Sequence, residues 1–529
     1  GQSISDLYSY FVSGSAIISG FTEAMSLNGN VWDIVCYLIV ACILLGSLFY
    51  EKNIASIKLK LFLFAVFFTY LFLAFKAGFV RHDIHALASA SAILIAALFY
   101  ALIIYSRRVI IISFGAFLTY TFISLTYPAQ FIVDRIKLTY LLVWNGLKNN
   151  FLNDDRFKNE YYLALDRLNS KTKFPIFKGT TDIYSHNQAY LIASQNIWNP
   201  RPIFQSYSVY TSSLAQINKM HLLHKNSPDN LIFRLESIDG RMPSLVDGPS
   251  WPVFLSKYQP FAFENDTLYL HKKLSQTEMS TTENIQESFY AMGEEIAVPE
   301  KPALIFVEID IRQRLFGKLM SLLYKPSQLQ ITLHLKDGST RSYRIVSAMT
   351  QSEFLLSPLI ENTTEFGLLY GGADYLPKGK VASFSIMPIG GDKQWEKNFK
   401  VTFKEMANPP KIDVSKIYHF DSIESQNAAQ EISIAPQCMG YIDAINETSN
   451  SSSFDVYRLL SVRGWLVKSI EPKAELTDSI LLVLTDNEGK NIFINTRPTL
   501  RPDLGTYFKN PLLDAAGYTA IAEVSKIKG

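Results

Sequence analysis

Cysteine is nearly missing from this chain, with three in 529 residues. Cys36 and Cys42 share one apolar run and Cys438 stands far away, so no disulfide framework or thiolate zinc site can be drawn. The familiar catalytic signatures are missing too: no glycine-rich phosphate loop, no GxGxxG after a strand, no HExxH, no CxxC and no GxSxG. His221 and His224 are three apart, but no acid or thiol falls at a matching spacing, so neither a metal nor a cofactor is expected. Net charge is only +2, which gives no global field for nucleic acid.

Long apolar runs are what the chain does have. Four occur before Pro128, at Ile34–Tyr50, Leu61–Val80, Ala86–Tyr105 and Val109–Tyr127. A membrane helix needs roughly 17–25 residues, and lipid offers no partner to a free backbone group, so these runs are expected to be spanning helices. Lys52, Lys58 and Lys60 lie between the first two runs, and Arg107 and Arg108 between the last two. The positive-inside rule puts both loops in the cytoplasm and everything after Pro128 outside. Gly1 stands where a Met would be expected, which points to a piece of a longer polytopic protein or to a processed chain. The stretch Ser3–Gly29 reads as an interfacial helix or as the cut end of an outer loop, with Glu23 facing solvent or the loop described next.

That loop is Lys76–His85, KAGFVRHDIH. It sets Lys76 and Arg81 on the outer side, where basic residues are under-represented. One reading gives them a lipid phosphate to hold, since Arg binds phosphate bidentately and Lys as a point charge. His82, His85 and Asp83 are then the catalytic candidates, able to move a proton near neutral pH. The other reading is a solvated loop whose charges pair among themselves.

After the membrane domain, 1–130, strand-like and helix-like stretches alternate through 131–275, which argues a helix followed by an α/β domain. Asp182, Arg201, Gln205, Tyr207, Asp239 and Arg241 would gather at its strand ends, a set that suits sugar hydroxyls. The alternative is that they satisfy backbone ends and each other. Residues 276–300 are polar and without period, and read as a linker. Short strands with turn signals give a β-sandwich over 301–406. A second connection, 407–436, leads to a second sandwich-like module over 437–529, with Asn487-Glu488-Gly489 as a hairpin turn. The fold class expected is therefore multidomain: an α-helical transmembrane bundle, then an extracytoplasmic α/β domain and two β-sandwich modules.

The stretches SGSAIISGFTEAMS, FKAGFVRHDIH, NPRPIFQSYSVYTSSLAQINKMHLL and FLLSPL together resemble large bacterial polytopic membrane proteins associated with cell-envelope glycan assembly. These are similar in architecture to the GT-C class of glycosyltransferases. Where the family pattern has a His, this chain has Ala77. The resemblance implies an inner-membrane protein with a periplasmic region, and membrane lipid, a polyprenyl-phosphate-linked sugar and polysaccharide as partners. It leaves open a transferase or a non-catalytic, membrane-anchored glycan-binding protein.

Overall fold

The computed structural model describes residues 3–52, 54, 56–127, 132–151, 155–264, 266–273, 281–376, 379–391, 393–406, 409–414, 417, 423–424, 438–445, 459–470, 474–477, 479–485 and 491–523. The turn at 487–489 and most of the 407–436 connection lie outside them.

All four apolar runs are helices long and apolar enough to cross a membrane: α2 (Val31–Tyr50), α3 (Ile57–Phe79), α4 (Ala86–Ile103) and α5 (Arg108–Thr126). They follow α1 (Asp6–Ala24). Asn30 opens α2 by accepting the Trp32 N–H at 3.1 Å. The buried stripe of α4 is Ala86, Ser89, Ala90, Ile93, Ala96, Ala97 and Tyr100, small residues at helical spacing that let its neighbours come close. Ser89 Oγ donates to the Ala74 carbonyl of α3 at 2.7 Å, and Gly78 of α3 has no room for a Cβ against Ser89. Large apolar side chains such as Leu98, Phe99, Leu102, Ile111 and Phe114 point outward, as lipid-facing groups would. Two further helices follow, α6 (Ile132–Phe151) and α7 (Arg156–Lys171).

The rest is rich in sheet. The strands β1 (Thr180–Tyr184), β2 (Ile197–Trp198), β3 (Asn230–Phe233), β4 (Tyr258–Glu264) and β5 (Thr267–Lys272) form one mixed sheet in the order β2-β1-β3-β5-β4. β1 runs parallel to β2 and β3, and β5 antiparallel to β3 and β4. The helices Gln188–Ala193, Ser212–Leu223 and Ser250–Lys257 connect these strands. The second of them is capped by Thr211, whose hydroxyl accepts the Leu214 N–H.

Residues 276–300, expected as a linker, carry a ten-residue strand, β6 (Thr282–Ala291), and a short one, β7 (Ile296–Ala297). Next come β8 (Ile305–Asp310), β9 (Leu329–Leu335), β10 (Thr340–Ile345), β11 (Phe354–Ser357), β12 (Val381–Pro388) and β13 (Asn398–Met406). They make two four-stranded sheets, β10-β9-β12-β7 and β11-β8-β13-β6. Val307, Ile309, Val401 and Phe403 of one sheet share a core with Ile331, Leu333, Phe384 and Ile386 of the other. That core continues without a break into Tyr210, Leu214 and Met242 of the preceding region, and into Ala24 and Met25 at the end of α1. Bundle and sheets are thus joined by packing as well as by chain. Two more small sheets follow, formed beyond 437 except for the short strand Ile423–Glu424, which comes from the expected connection and pairs with Phe493 and Ile494. Val462, Ile494, Tyr518 and Ala520 lie in their common core.

Candidate functional site

The Lys76–His85 stretch lies at the end of the bundle that meets the sheets; its first four residues, expected as loop, are the last turn of α3. The chain Ser26–Asn30 runs beside it: Leu27 N–H donates to the Val80 carbonyl at 3.1 Å, and His82 N–H to the Leu27 carbonyl at 3.3 Å. Each charge in this loop has a defined neighbour.

Lys76 Nζ donates to the carbonyls of Ser321, Leu322 and Tyr324 at 2.8, 3.1 and 3.1 Å. These close the helix Leu315–Leu323, so the ammonium sits at the negative end of that helix. In return, Lys325 Nζ reaches the Phe79 carbonyl at the end of α3 at 3.3 Å and the Leu27 carbonyl at 2.5 Å. Burial, with Arg344 nearby, pulls the Lys325 ammonium down to about 8. Each helix therefore ends on a cation supplied by the other side.

The end of α1 is met in the same way. Arg241 donates to the Ala24 carbonyl at 2.6 Å, and Arg344 to the Glu23 and Ala24 carbonyls at 2.6 and 2.9 Å. Burial, then Arg344, lowers the Arg241 guanidinium to about 10. Glu23 is half-buried on the wall of a solvent-filled cleft and does not meet the Lys76–His85 stretch, the other expected alternative. Its carboxylate accepts from Ser347 N–H at 2.5 Å and Ser347 Oγ at 2.8 Å. Burial raises its pKa against the pull of those bonds.

Arg81 holds Asp239 through two hydrogen bonds and Asp83 at 3.0 Å. His82 is buried, with Nε2 3.0 Å from the buried Asp33 carboxylate. Asp83 binds His85 Nδ1 at 2.5 Å. Burial raises Asp83, but its bonds to His85 and the charge of Arg81 outweigh this and hold it below the usual range. Of the three catalytic candidates, then, His85 and Asp83 are accessible and paired, and His82 is enclosed. The two cations expected to hold phosphate, Lys76 and Arg81, are bound to the protein itself.

The six residues expected to bind glycan fall in two places, since the Tyr207 carbonyl accepts from Arg241 at 2.9 Å. Asp182 and Arg201 have no exposed side chain. Arg201 Nε meets Asp182 at 2.8 Å, Nη1 meets Asp247 at 2.8 Å, and the guanidinium lies 5.0 Å over the Tyr184 ring. Burial raises the Asp247 carboxyl to about 6 although Arg201 and Asn218 bind it. Asp239 and Arg241 belong to the junction. Gln205 and Tyr207 are half-buried and bonded to each other at 2.9 Å. Asp182, Arg201 and Arg241 hold the fold together from inside and cannot touch a polymer.

Two clefts were not anticipated. One, of about 840 Å³, is lined by Glu23, Glu287, Glu308, Asp310, Arg312 and Lys400, and its acids are largely paired: Lys400 with Glu287, Lys404 with Glu308 and Arg312 with Asp310. The other, of about 790 Å³, brings Arg234, Arg463, Arg497 and Arg501 together with Phe263 and Tyr518, against the acids Glu264 and Asp266. Arg501 is held there by Asp443 and Asp503. No local motif marks these arginines, because they come from strands and loops 263 to 267 positions beyond Arg234 or 229 beyond it in the chain. Comparison with protein-family models, curated proteins and solved structures gives no match.

Proposed function

We propose that this is an integral membrane protein of cell-envelope polysaccharide assembly, which holds acidic glycan beside the membrane and does no glycosyl transfer of its own. The arginine-lined cleft carries this reading. Its volume lies in the range of ligand sites, about 300–1,000 Å³. Guanidinium groups bind carboxylate and phosphate bidentately, and the largely buried Phe263 and Tyr518 form part of the floor beneath them. The α/β sheet and the two sandwich modules then form the outer region, in the periplasm of a bacterial inner-membrane protein. Lys60, which bonds the Phe49 carbonyl, and Arg108, which pairs with Glu51, lie at the bundle end away from the sheets, and the positive-inside rule makes that end cytoplasmic.

The transferase reading has less behind it. A polyprenyl-phosphate donor would need Lys76 and Arg81, and both are bound at the junction. The test is binding of polygalacturonate and of neutral dextran to the full chain in lipid nanodiscs. Preferential binding of the acidic polymer, lost in R463A/R497A with the melting temperature kept, is expected. Equal or no binding of the two polymers ends the proposal.

A further inference from the structure

The helix Leu315–Leu323 has an apolar face that no part of the described chain covers. Leu315, Phe316, Leu319, Leu322 and Leu323 are 85, 50, 50, 67 and 47% exposed. At 100° per residue these five positions fall within about 120° of one another, on a single face. The opposite side is packed. Gly317 lies against the Gln394 carbonyl with no space for a Cβ, and Ser321 Oγ bonds Gln313.

We propose that this helix is a membrane-surface anchor, with its leucines and Phe316 immersed in the lipid interface beside α3. The occupant is lipid because of where the helix is held. Its last carbonyls are bound by Lys76, inside the spanning helix α3. The Tyr324 ring, just past its end, lies 5.4 Å from Phe75 of α3. Lys325 bonds the last carbonyl of that span. The helix is therefore fixed at the level where α3 leaves the bilayer, and helices with one apolar face lie in that layer. Tyr324 is also a residue type that membrane interfaces favour. With this contact the two four-stranded sheets are held against the membrane at a second point, beside the bundle. The inference rests on α2–α5 spanning a membrane and is independent of the glycan reading.

The experiment uses the full chain with Cys36, Cys42 and Cys438 replaced by Ser, reconstituted in phosphatidylcholine nanodiscs. A single cysteine is placed by L319C, L322C or D337C and given a fluorescent label. Asp337 is exposed in the turn after β9, and that strand runs about 20 Å away from the junction. Brominated lipid should quench the labels at 319 and 322 at least threefold more than the label at 337. Leu319 and Leu322 are already exposed, so the label displaces no packing, and gel filtration checks each variant. Quenching absent at 319 and 322, or equal at all three positions, overturns the proposal.

Discussion

Arg81 grips Asp239 through two hydrogen bonds, 2.8 and 3.2 Å long, across 158 positions of sequence. One residue ends the turn after α3; the other sits in a tight turn with positive φ, followed by Gly240, also at positive φ. Asp239 raises the guanidinium pKa, with burial opposing it. The pair is partly shielded, with Arg81 21% and Asp239 8% exposed, so it is worth more than a surface ion pair. R81A and D239N are each expected to destabilise the protein by about 1–2 kcal/mol. The double variant should fall well short of the sum, because both remove one interaction. Thermal unfolding in detergent measures the cycle; strict additivity would mean the two side chains do not cooperate.

His82 makes the same junction sensitive to acid. Burial lowers its pKa below the ordinary 6.5, and the bond to Asp33 offsets this only in part. The folded state therefore prefers the neutral ring. Its contribution is complete above the unfolded value of about 6.5 and is lost as pH falls below that toward the folded value. Protection of the Leu27 and His82 amides should drop between pH of about 7.5 and about 5.5, after correction for intrinsic exchange. H82Q cannot titrate there and should flatten the profile. An unchanged profile in H82Q would assign the acid effect to another group.

The spans were legible because an apolar run long enough to cross a membrane is a local property, and all four are helices close to their expected bounds. The position of the Lys76–His85 loop was legible for the same reason. Its partners were not. Lys76 ends on carbonyls 245 to 248 positions away, and nothing local to KAGFVRHDIH records that. Arg201 looked like a loop residue ready for sugar, because composition cannot separate a buried, paired arginine from an exposed one. The strand Thr282–Ala291 was missed for a different reason. Its burial alternates poorly, with polar residues on both faces, so the two-residue period that marks a half-buried strand is weak.

Close approach at two glycines gives a prediction that charge plays no part in. A Cβ at Gly20 would lie 2.5 Å from Tyr210 Cβ, and one at Gly29 would lie 2.5 Å from His82 Cγ and 2.6 Å from its carbonyl. Neither neighbour is the free end of a flexible chain. G20A and G29A should each cost about 1–3 kcal/mol through forced displacement. G14A, with open space around it inside α1, should leave stability no lower and raise it by up to about 1 kcal/mol through helix propensity. Melting temperatures in one detergent compare the three, and a loss in G14A equal to that in G20A would remove the packing explanation.

Arg201 separates a structural role from a ligand role most sharply. It lies between Asp182 and Asp247, both without exposed side chains, and it also donates to the Ile183 carbonyl at 3.1 Å. Removing it leaves two carboxylates enclosed with no cation, a situation that costs about 3–5 kcal/mol. R201M keeps much of the volume and should still lose that much, seen as a lowered melting temperature and early proteolysis of the sheet region. The loss should shrink under acid conditions, because Asp247, already raised to about 6 by burial, takes up a proton once its partner is gone. A glycan-contact role predicts the opposite pattern, with binding lost and the melting temperature kept at every pH. A cool, protease-sensitive R201M that recovers on acidification therefore places Arg201 in the frame of the fold, and an R201M that melts like the parent but no longer binds polymer places it in the site.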